Sequence, residues 1–318
     1  MNPVRNHELQ EEKRTSSSIS NGMNVLMITG DKKFQGSARY ALQASAVEKL
    51  DVVYWGQGSF WPSIPKNQYD IVTVQDPVWR GLFGSYVARH LGARLNVQVH
   101  TDLSAHSLLK RFLAQIVLKH SDSVRVVSEK IKAQVEDIGV RAPIHVLPIF
   151  VDIERFRGLR HTASGRPTIL WMGRFEPEKG PVAAITTLEH VRATGIDARL
   201  IMLGSGSMEA ELRGRAAGLP VEFPGWEDPV PYLKTADVVL STSLHESWGA
   251  SIVEALAAGV PVVAPDVGVA TEAGATVVPR SELASSVVQI LKSGERGALK
   301  LSLPTADEWA SKWKESLL

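Results

Sequence analysis

One pattern constrains this chain more than any other. From Met23 onward, short runs rich in β-branched residues alternate with helical stretches of roughly 10 to 17 residues. The runs are Val25 to Ile28, Asp51 to Tyr54, Asp70 to Val74, Leu95 to Val99, Ser123 to Val127 and Ile144 to Leu147. Strands that are apolar on both faces, each followed by a helix, mark a parallel sheet covered on both sides. A second series starts after the break at Gly165-Arg166-Pro167, with runs at Thr168 to Met172, Ala198 to Leu203, Val221 to Phe223, Asp237 to Leu240, Pro261 to Val263 and Thr276 to Val278. The segment between the series, Pro148 to Pro167, is polar and punctuated by Pro and Gly, as a linker is. The expected fold is therefore α/β, with two Rossmann-like, doubly wound domains facing a cleft. Residues 1–22 read as a disordered tail, 23–152 as the first domain, 153–167 as the linker and 168–302 as the second domain. The amphipathic 303–318 reads as a C-terminal helix packing back on the first domain.

Composition excludes several classes of function. Lys plus Arg total 35 against 34 Asp plus Glu, a net charge of +1, so no overall field holds a nucleic acid. Cysteine is absent, which removes disulfides, thiolate metal sites and thiol nucleophiles and fits a reducing, cytoplasmic compartment. The longest apolar run, Ala255 to Pro265, is interrupted by Gly259 and Pro261 and falls short of the roughly 20 residues of a membrane span.

Doubly wound sheets bind ligands beyond the carboxyl ends of their strands, so the loops after the apolar runs carry the information. The glycines of Gly204-Ser205-Gly206-Ser207-Met208-Glu209 miss the dinucleotide fingerprint, because Glu209 stands at the third glycine. Gly30 to Ser37 lacks the lysine of a phosphate-binding loop. The richest segment is Ser241 to Gly268. There a strand runs into a loop with Glu246, Ser247-Trp248-Gly249 opens a helix, and Glu254 lies within it. A helix start near Trp248 places Glu254 roughly 9 Å along the axis. A helix N-terminus suits a phosphate, and carboxylates suit vicinal sugar hydroxyls. A sugar, a diphosphate and a ribose in line, as in a nucleotide sugar, would use all three. The diphosphate calls for cations, and Gly173-Arg174 with Lys179 at the end of another strand supply them.

The segments WMGRFEPEKG, LGSGS and HESWGASIVEALAAGVPVVAPDVG resemble the donor-domain motifs of retaining glycosyltransferase family four, glycosyl transferases group one, a GT-B family. LPIFVDIERF and RVVSEKIKAQVEDIGV resemble it too. The resemblance implies a hexosyltransferase that uses a nucleoside diphosphate sugar, with retention of configuration, in glycan, polysaccharide or glycolipid synthesis. It implies Glu246 on the transferred sugar, Ser247 to Ala250 (Ser247, Trp248, Gly249, Ala250) on sugar and diphosphate, Glu254 on the ribose, and Arg174 and Lys179 on the diphosphate, with Gly173 and Gly204 beside them. Departures stand at Gln35-Gly36-Ser37, where the family has a glycine pair and Gly36 alone remains for the acceptor or phosphate loop, and in DVGVATEAG, which lacks a second glycine. Two alternatives stay open: a GT-B sugar-nucleotide epimerase and a non-catalytic nucleotide-sugar-binding subunit.

His100 closes a strand of the first domain and is expected to face the cleft, where the family often has a histidine near the donor sugar. His245, beside Glu246, is read as either a support for it or a bystander. No Asp-x-Asp occurs and the remaining histidines lack ligand spacing, so neither a metal nor another cofactor is expected. The expected partners are the donor and a sugar or lipid-linked acceptor. In Ala105 to His120, the residues Leu108, Leu109, Phe112, Leu113, Ile116 and Val117 form one stripe, read first as buried and second as peripheral contact with the inner membrane face. Trp309 and Trp313, four apart, are expected to pack the last helix.

Overall fold

The computed structural model describes residues 22–56, 62–163 and 165–318. The tail expected over residues 1–22 lies, apart from Gly22, outside the described residues.

Two sheets form, each with 6 strands, and all pairings are parallel. The first holds β1 (Asn24–Thr29), β2 (Lys49–Tyr54), β3 (Ile71–Val74), β4 (Arg94–Val99), β5 (Ser123–Val126) and β6 (Ile144–Val146), in the order β2-β1-β3-β4-β5-β6. The second holds β7 (Thr168–Met172), β8 (Arg199–Leu203), β9 (Val221–Gly225), β10 (Val238–Leu240), β11 (Val262–Ala264) and β12 (Thr276–Val277), in the order β12-β11-β10-β7-β8-β9. Each sheet thus reverses its winding once, between β1 and β3 and between β7 and β10. Such a reversal opens a crevice at the carboxyl edge.

In the first half the helices are α1 (Ala38–Ala46), α2 (Trp79–Leu91), α3 (Leu108–Lys119) and α4 (Glu129–Asp137). The second half carries α5 (Val182–Ala193), α6 (Glu209–Arg215), α7 (Val230–Leu233), α8 (Ala250–Ala257), α9 (Ala270–Ala273), α10 (Leu283–Ser293) and α11 (Ala306–Glu315). Not every connection has the expected length. Pro62 and Pro65 interrupt the path from β2 to β3, where no helix forms among the described residues. The helices α7 and α9 are single turns, α9 ending at Gly274 in the left-handed region (φ 97°).

The strands alternate between two apolar layers, as the pleat requires. In β1, Leu26 and Ile28 join the core under α2 and α3, while Val25 and Met27 join a layer containing Trp309, Trp313 and Leu317. In β7, Leu170 turns one way and Ile169 and Trp171 the other, toward α5 and α10. A capping box starts α11, Thr305 accepting from the Glu308 N–H and Glu308 from the Thr305 N–H. This helix leaves the second half and packs on α1.

Burial of the whole stripe on α3 is corrected. Ala114, Val117 and Leu118 are buried, but Leu108 is 82% exposed, Phe112 59%, and Leu109 and Ile116 are exposed as well. The helix has two apolar faces, and the one with smaller side chains docks because α2 offers Gly81 there. A Cβ on Gly81 would lie 2.8 Å from Val117 Cγ1.

Trp309 is fully buried, and its indole N–H donates to the Pro148 carbonyl at 2.8 Å. Trp309→Ala is expected to destabilise the first half by about 3–5 kcal/mol. A lower urea midpoint at unchanged slope is the measurement that checks it.

Candidate active site

The reversal between β7 and β10 places two loops side by side, residues 173–181 after β7 and 241–249 after β10. Thr242 stitches them together, accepting from Trp171 Nε1 at 2.8 Å and donating to the Lys179 carbonyl at 3.0 Å. The Leu244 N–H donates to the Glu178 carbonyl at 2.8 Å. Arg280 holds the other side, donating to the carbonyls of Thr242 and Ser243 at 2.7 and 3.0 Å. On this frame Lys179 Nζ meets Glu246 Oε1 at 2.5 Å, and the Ser243 hydroxyl donates to the same oxygen at 2.8 Å.

The third wall is the N-terminus of α8. Gly249 caps it at φ 94°, in the left-handed region, and no side chain caps it, so the N–H groups of Ala250 and Ser251, two residues that line the cleft, have no partner among the described residues. The helix therefore begins at Ala250 and not near Trp248, which corrects the axial distance: Glu254 lies about 6 Å along it. Ser247, Trp248 and Gly249 belong to the loop instead. A single cleft of about 490 Å³ gathers Gly173, Arg174 and Lys179 from the first loop, Glu246 to Gly249 from the second, and Ala250 and Glu254 from α8. That volume admits a ligand of two sugar units and a diphosphate.

The charges differ in their freedom. Arg174 pairs with Glu178 at 2.8 Å, but both side chains are open to water, so the pair contributes about 0–1 kcal/mol and the guanidinium is free to turn inward. Lys179 and Glu246 are held more tightly, with side chains 19% and 14% exposed. Glu254 lies deep. Burial pushes its carboxyl up to about 7, against the pull of Arg155 and with the help of Asp228. Among the described residues no group donates a hydrogen bond to it. Arg155, from the linker, is itself held by Asp228 at 3.0 and 3.1 Å.

Gly204 stands beside the cleft and permits a close approach. Its φ is 151°, and a Cβ there would lie 1.8 Å from the Gly173 carbonyl oxygen. Three further expected residues are absent from the cleft lining, although one of them, His100, borders it at Ser247. Gly36 ends an exposed 3-10 turn with open space around it. His245 is exposed, and among the described residues no hydrogen bond joins it to Glu246, which favours the bystander reading. His100 meets the site through its backbone: its carbonyl accepts from the Ser247 hydroxyl at 2.7 Å, while its ring turns toward Arg125.

Sequence reasoning missed Trp226 and Glu227, which line the cleft after β9. Trp226 is 68% exposed, and Tyr232 donates to the Glu227 carboxylate at 2.5 Å. The signal was present, since the loop after Val221 to Phe223 is also a carboxyl-edge loop. No group of three or more potential metal ligands occurs among the described residues. No helix among them is long and apolar enough to cross a membrane.

Comparison with known proteins agrees with this architecture. Residues 35–155 match the model of Glycosyltransferase Family 4, and residues 166–293 that of Glycosyl transferases group 1. The chain is 28% identical over 228 residues to a GDP-mannose-dependent alpha-(1-6)-phosphatidylinositol dimannoside mannosyltransferase of Mycobacterium tuberculosis, covering 61% of this chain and 60% of that protein. It is 28% identical over 275 residues to the 2-deoxystreptamine glucosyltransferase of Streptomyces kanamyceticus, covering 73% and 69%. The crystal structure of Anabaena Alr3699/HepE in complex with UDP superposes with a TM-score of 0.68 at 17% identity, over 92% of this chain and 94% of that one. That likeness establishes the GT-B fold. The two family models lie in tandem, one on each half, and the chain belongs to the family 4 glycosyltransferases, glycosyl transferases group 1.

Proposed function

We propose that this chain moves a hexose from a nucleoside diphosphate sugar to an acceptor hydroxyl with retention of configuration. The observation that carries the reading is the composition of one cleft. It combines an uncapped helix N-terminus, a lysine seated on a carboxylate, and a second carboxylate with no hydrogen-bond donor about 6 Å along the same helix. The N–H groups of α8 and the cations Lys179 and Arg174 suit the diphosphate, and they gain most as charge develops on it when the glycosidic bond breaks. Glu246, fixed by Lys179 and Ser243, suits the hydroxyls of the transferred sugar, and Glu254 those of the ribose. With side chains and a helix end filling the cation role, turnover needs no divalent metal in this reading. The acceptor hydroxyl attacks from the face the leaving group departs. The relatives reported above are transferases by name, which favours transfer over epimerisation or a binding-only role.

The exposed face of α3 favours an acceptor at a membrane. Leu108, Leu109, Phe112 and Ile116 project from a helix that also exposes Lys110, Arg111 and Lys119, the composition of a surface that sits on anionic lipid. An alpha-monoglucosyldiacylglycerol synthase of Streptococcus pneumoniae, 26% identical over 62% of this chain, is likewise named for a lipid product. The proposed place is the inner face of the membrane, approached from the cytoplasm.

The two glutamates separate experimentally. Glu254→Gln is expected to weaken a nucleoside diphosphate and its sugar conjugate alike, while Glu246→Gln lowers turnover and leaves nucleoside diphosphate affinity nearly intact. Calorimetry with GDP and UDP, and turnover of GDP-mannose and UDP-glucose in EDTA, read both effects. Loss of nucleoside diphosphate binding in Glu246→Gln alone would reverse the assignment.

The raised carboxyl of Glu254 gives a pH signature. An acid titrating near 7 when folded and near 4.5 when unfolded holds more protons in the native state across that interval, so its contribution to stability falls as pH rises from 4.5 to 7. Glu254→Gln is therefore expected to be more stable than the wild type above pH 7, with the advantage shrinking toward pH 5 in urea titrations. Because ribose hydroxyls donate to the ionised form, wild-type affinity for GDP or UDP rises about tenfold from about pH 6 to about pH 8 relative to Glu254→Gln.

Phe112→Glu with Leu109→Glu is expected to abolish sedimentation with phosphatidylglycerol vesicles while leaving GDP and UDP affinity unchanged. Equal sedimentation of wild type and variant would remove the membrane reading.

A further inference from the structure

A polar ladder runs through the first sheet on the side covered by α11. Its members alternate along β3, β4 and β5, so they share one face: Thr73, Asn96, Gln98, Ser123 and Arg125, all buried. His100 is the next residue on that face. Thr73 donates to Asn96 Oδ1 at 2.6 Å and accepts from Gln98 Nε2 at 2.8 Å, which fixes the Gln98 amide with its oxygen toward Arg125. Arg125 then spends every N–H on a neutral acceptor. Nε and Nη2 donate to the Leu147 carbonyl at 3.2 and 3.0 Å, and Nη2 also to the Pro148 carbonyl at 2.9 Å. Nη1 donates to Gln98 Oε1 at 2.7 Å and to His100 Nε2 at 3.2 Å. The Trp309 ring covers the guanidinium at 5.2 Å.

Among the described residues no carboxylate balances this cation, and burying an unpaired charge is costly. Burial lowers the guanidinium pKa to about 9, which leaves it protonated at neutral pH. A guanidinium has no lone pair to offer. The shared proton at 3.2 Å therefore belongs to Arg125, and the imidazole must present a lone pair at Nε2. A neutral ring with a lone pair at Nε2 carries its hydrogen at Nδ1, and among the described residues Nδ1 has no partner. The seam between the halves lies at this residue, because the His100 carbonyl accepts from Ser247, next to Glu246.

We propose that Arg125 is a positioning residue: by occupying Nε2 it fixes His100 as a neutral Nδ1–H donor toward the sugar bound at this seam, and so excludes the ring as a general base. Two effects agree with the geometry. Burial first, then the charges of Arg125 on β5 and Arg39 on α1, hold the imidazole well below its ordinary 6.5. The part of the inference that concerns the sugar rests on the transferase reading, and the part that concerns the tautomer does not.

The test begins with the ligand-free full chain labelled with 15N-histidine. Long-range proton–nitrogen correlation is expected to show His100 with an unprotonated Nε2 and a protonated Nδ1, unchanged between pH 6 and 8. A proton on Nε2, or titration in that interval, overturns the proposal whether or not any variant folds. In Arg125→Met the resonances are expected to move to a mixed or Nε2–H tautomer and to titrate; an unaltered Nδ1–H tautomer in that folded variant would also overturn it. Turnover of GDP-mannose or UDP-glucose, whichever binds, is the second arm. His100→Asn, whose amide nitrogen takes the place of Nδ1, is expected to recover a substantial part of the activity lost in His100→Ala, whereas His100→Gln does not. Equal losses in the Asn and Ala variants would argue for a base and against a donor. If neither nucleotide sugar nor nucleoside diphosphate binds the wild type, the transferase reading fails while the tautomer result stands by itself.

Discussion

The cleft in the second half depends on the reversal of strand order between β7 and β10. Crossovers from β7 run through α5 toward β8 and β9, whereas β10 leads away through α8 toward β11 and β12. The loops leaving adjacent strands therefore diverge, and the gap between them is the site. What turns a gap into a binding surface is the set of contacts that cross it. The Thr242 hydroxyl is bonded on both sides, and Arg280 holds the carbonyls next to it. Together they place Lys179 and Glu246 at 2.5 Å, a distance that two freely moving side chains would not keep.

That pairing has consequences for the charge of the cleft. Lys179 is neutralised by Glu246, Arg174 by Glu178, and Arg155 by Asp228. Glu254 lines the same cleft with a carboxyl that burial pushes up to about 7. In the proposed reading, a diphosphate would draw Arg174 off Glu178 and meet Lys179 where it stands on Glu246. Arg174 moves at little cost because its pair is exposed, while Lys179 remains bonded to the oxygen that also accepts from Ser243. On the proposed function, a lysine that keeps its carboxylate while meeting a phosphate would hold Glu246 in place for the sugar and so couple the two ends of the cleft.

Much of this was legible in the sequence. Every strand of both sheets coincides with an apolar run, because a strand buried on both faces has little room for polar residues. The loops after β7 and β10 stood out because charged residues follow such runs directly. The losses have equally physical causes. A positive φ at Gly249 moves the helix start by two residues, and sequence alone does not say which glycine adopts it. The stripe on α3 reads as one face because its leucines and valines look alike, yet Gly81 on the neighbouring α2 makes room only for the side that carries Val117. Trp226 and Glu227 carry no motif; only the position of their loop at the carboxyl edge marks them. Arg125 reads as a charge within a β-branched run, and nothing local shows that its partners are Gln98, His100 and two carbonyls beyond β6.

The seam between the halves shows why the C-terminal helix matters to a cleft it does not touch. Ser247, adjacent to Glu246, donates to the His100 carbonyl, and the Ser128 hydroxyl donates back to the Ser247 carbonyl at 3.1 Å. The backbone beside Glu246 is thus held by the ends of β4 and β5 in the other half. Those ends are in turn fixed by the ladder beneath them, in which Asn96 donates to the Ser316 carbonyl and Ser123 to the Leu317 carbonyl. Trp309 of α11 closes the same layer over Arg125. A polar ladder of this kind tolerates few arrangements, since each buried donor left without an acceptor costs about 1–3 kcal/mol. The backbone beside Glu246 is therefore tied through β4 and β5 to the layer that α11 closes, although the motif residues of the cleft all lie in the second half.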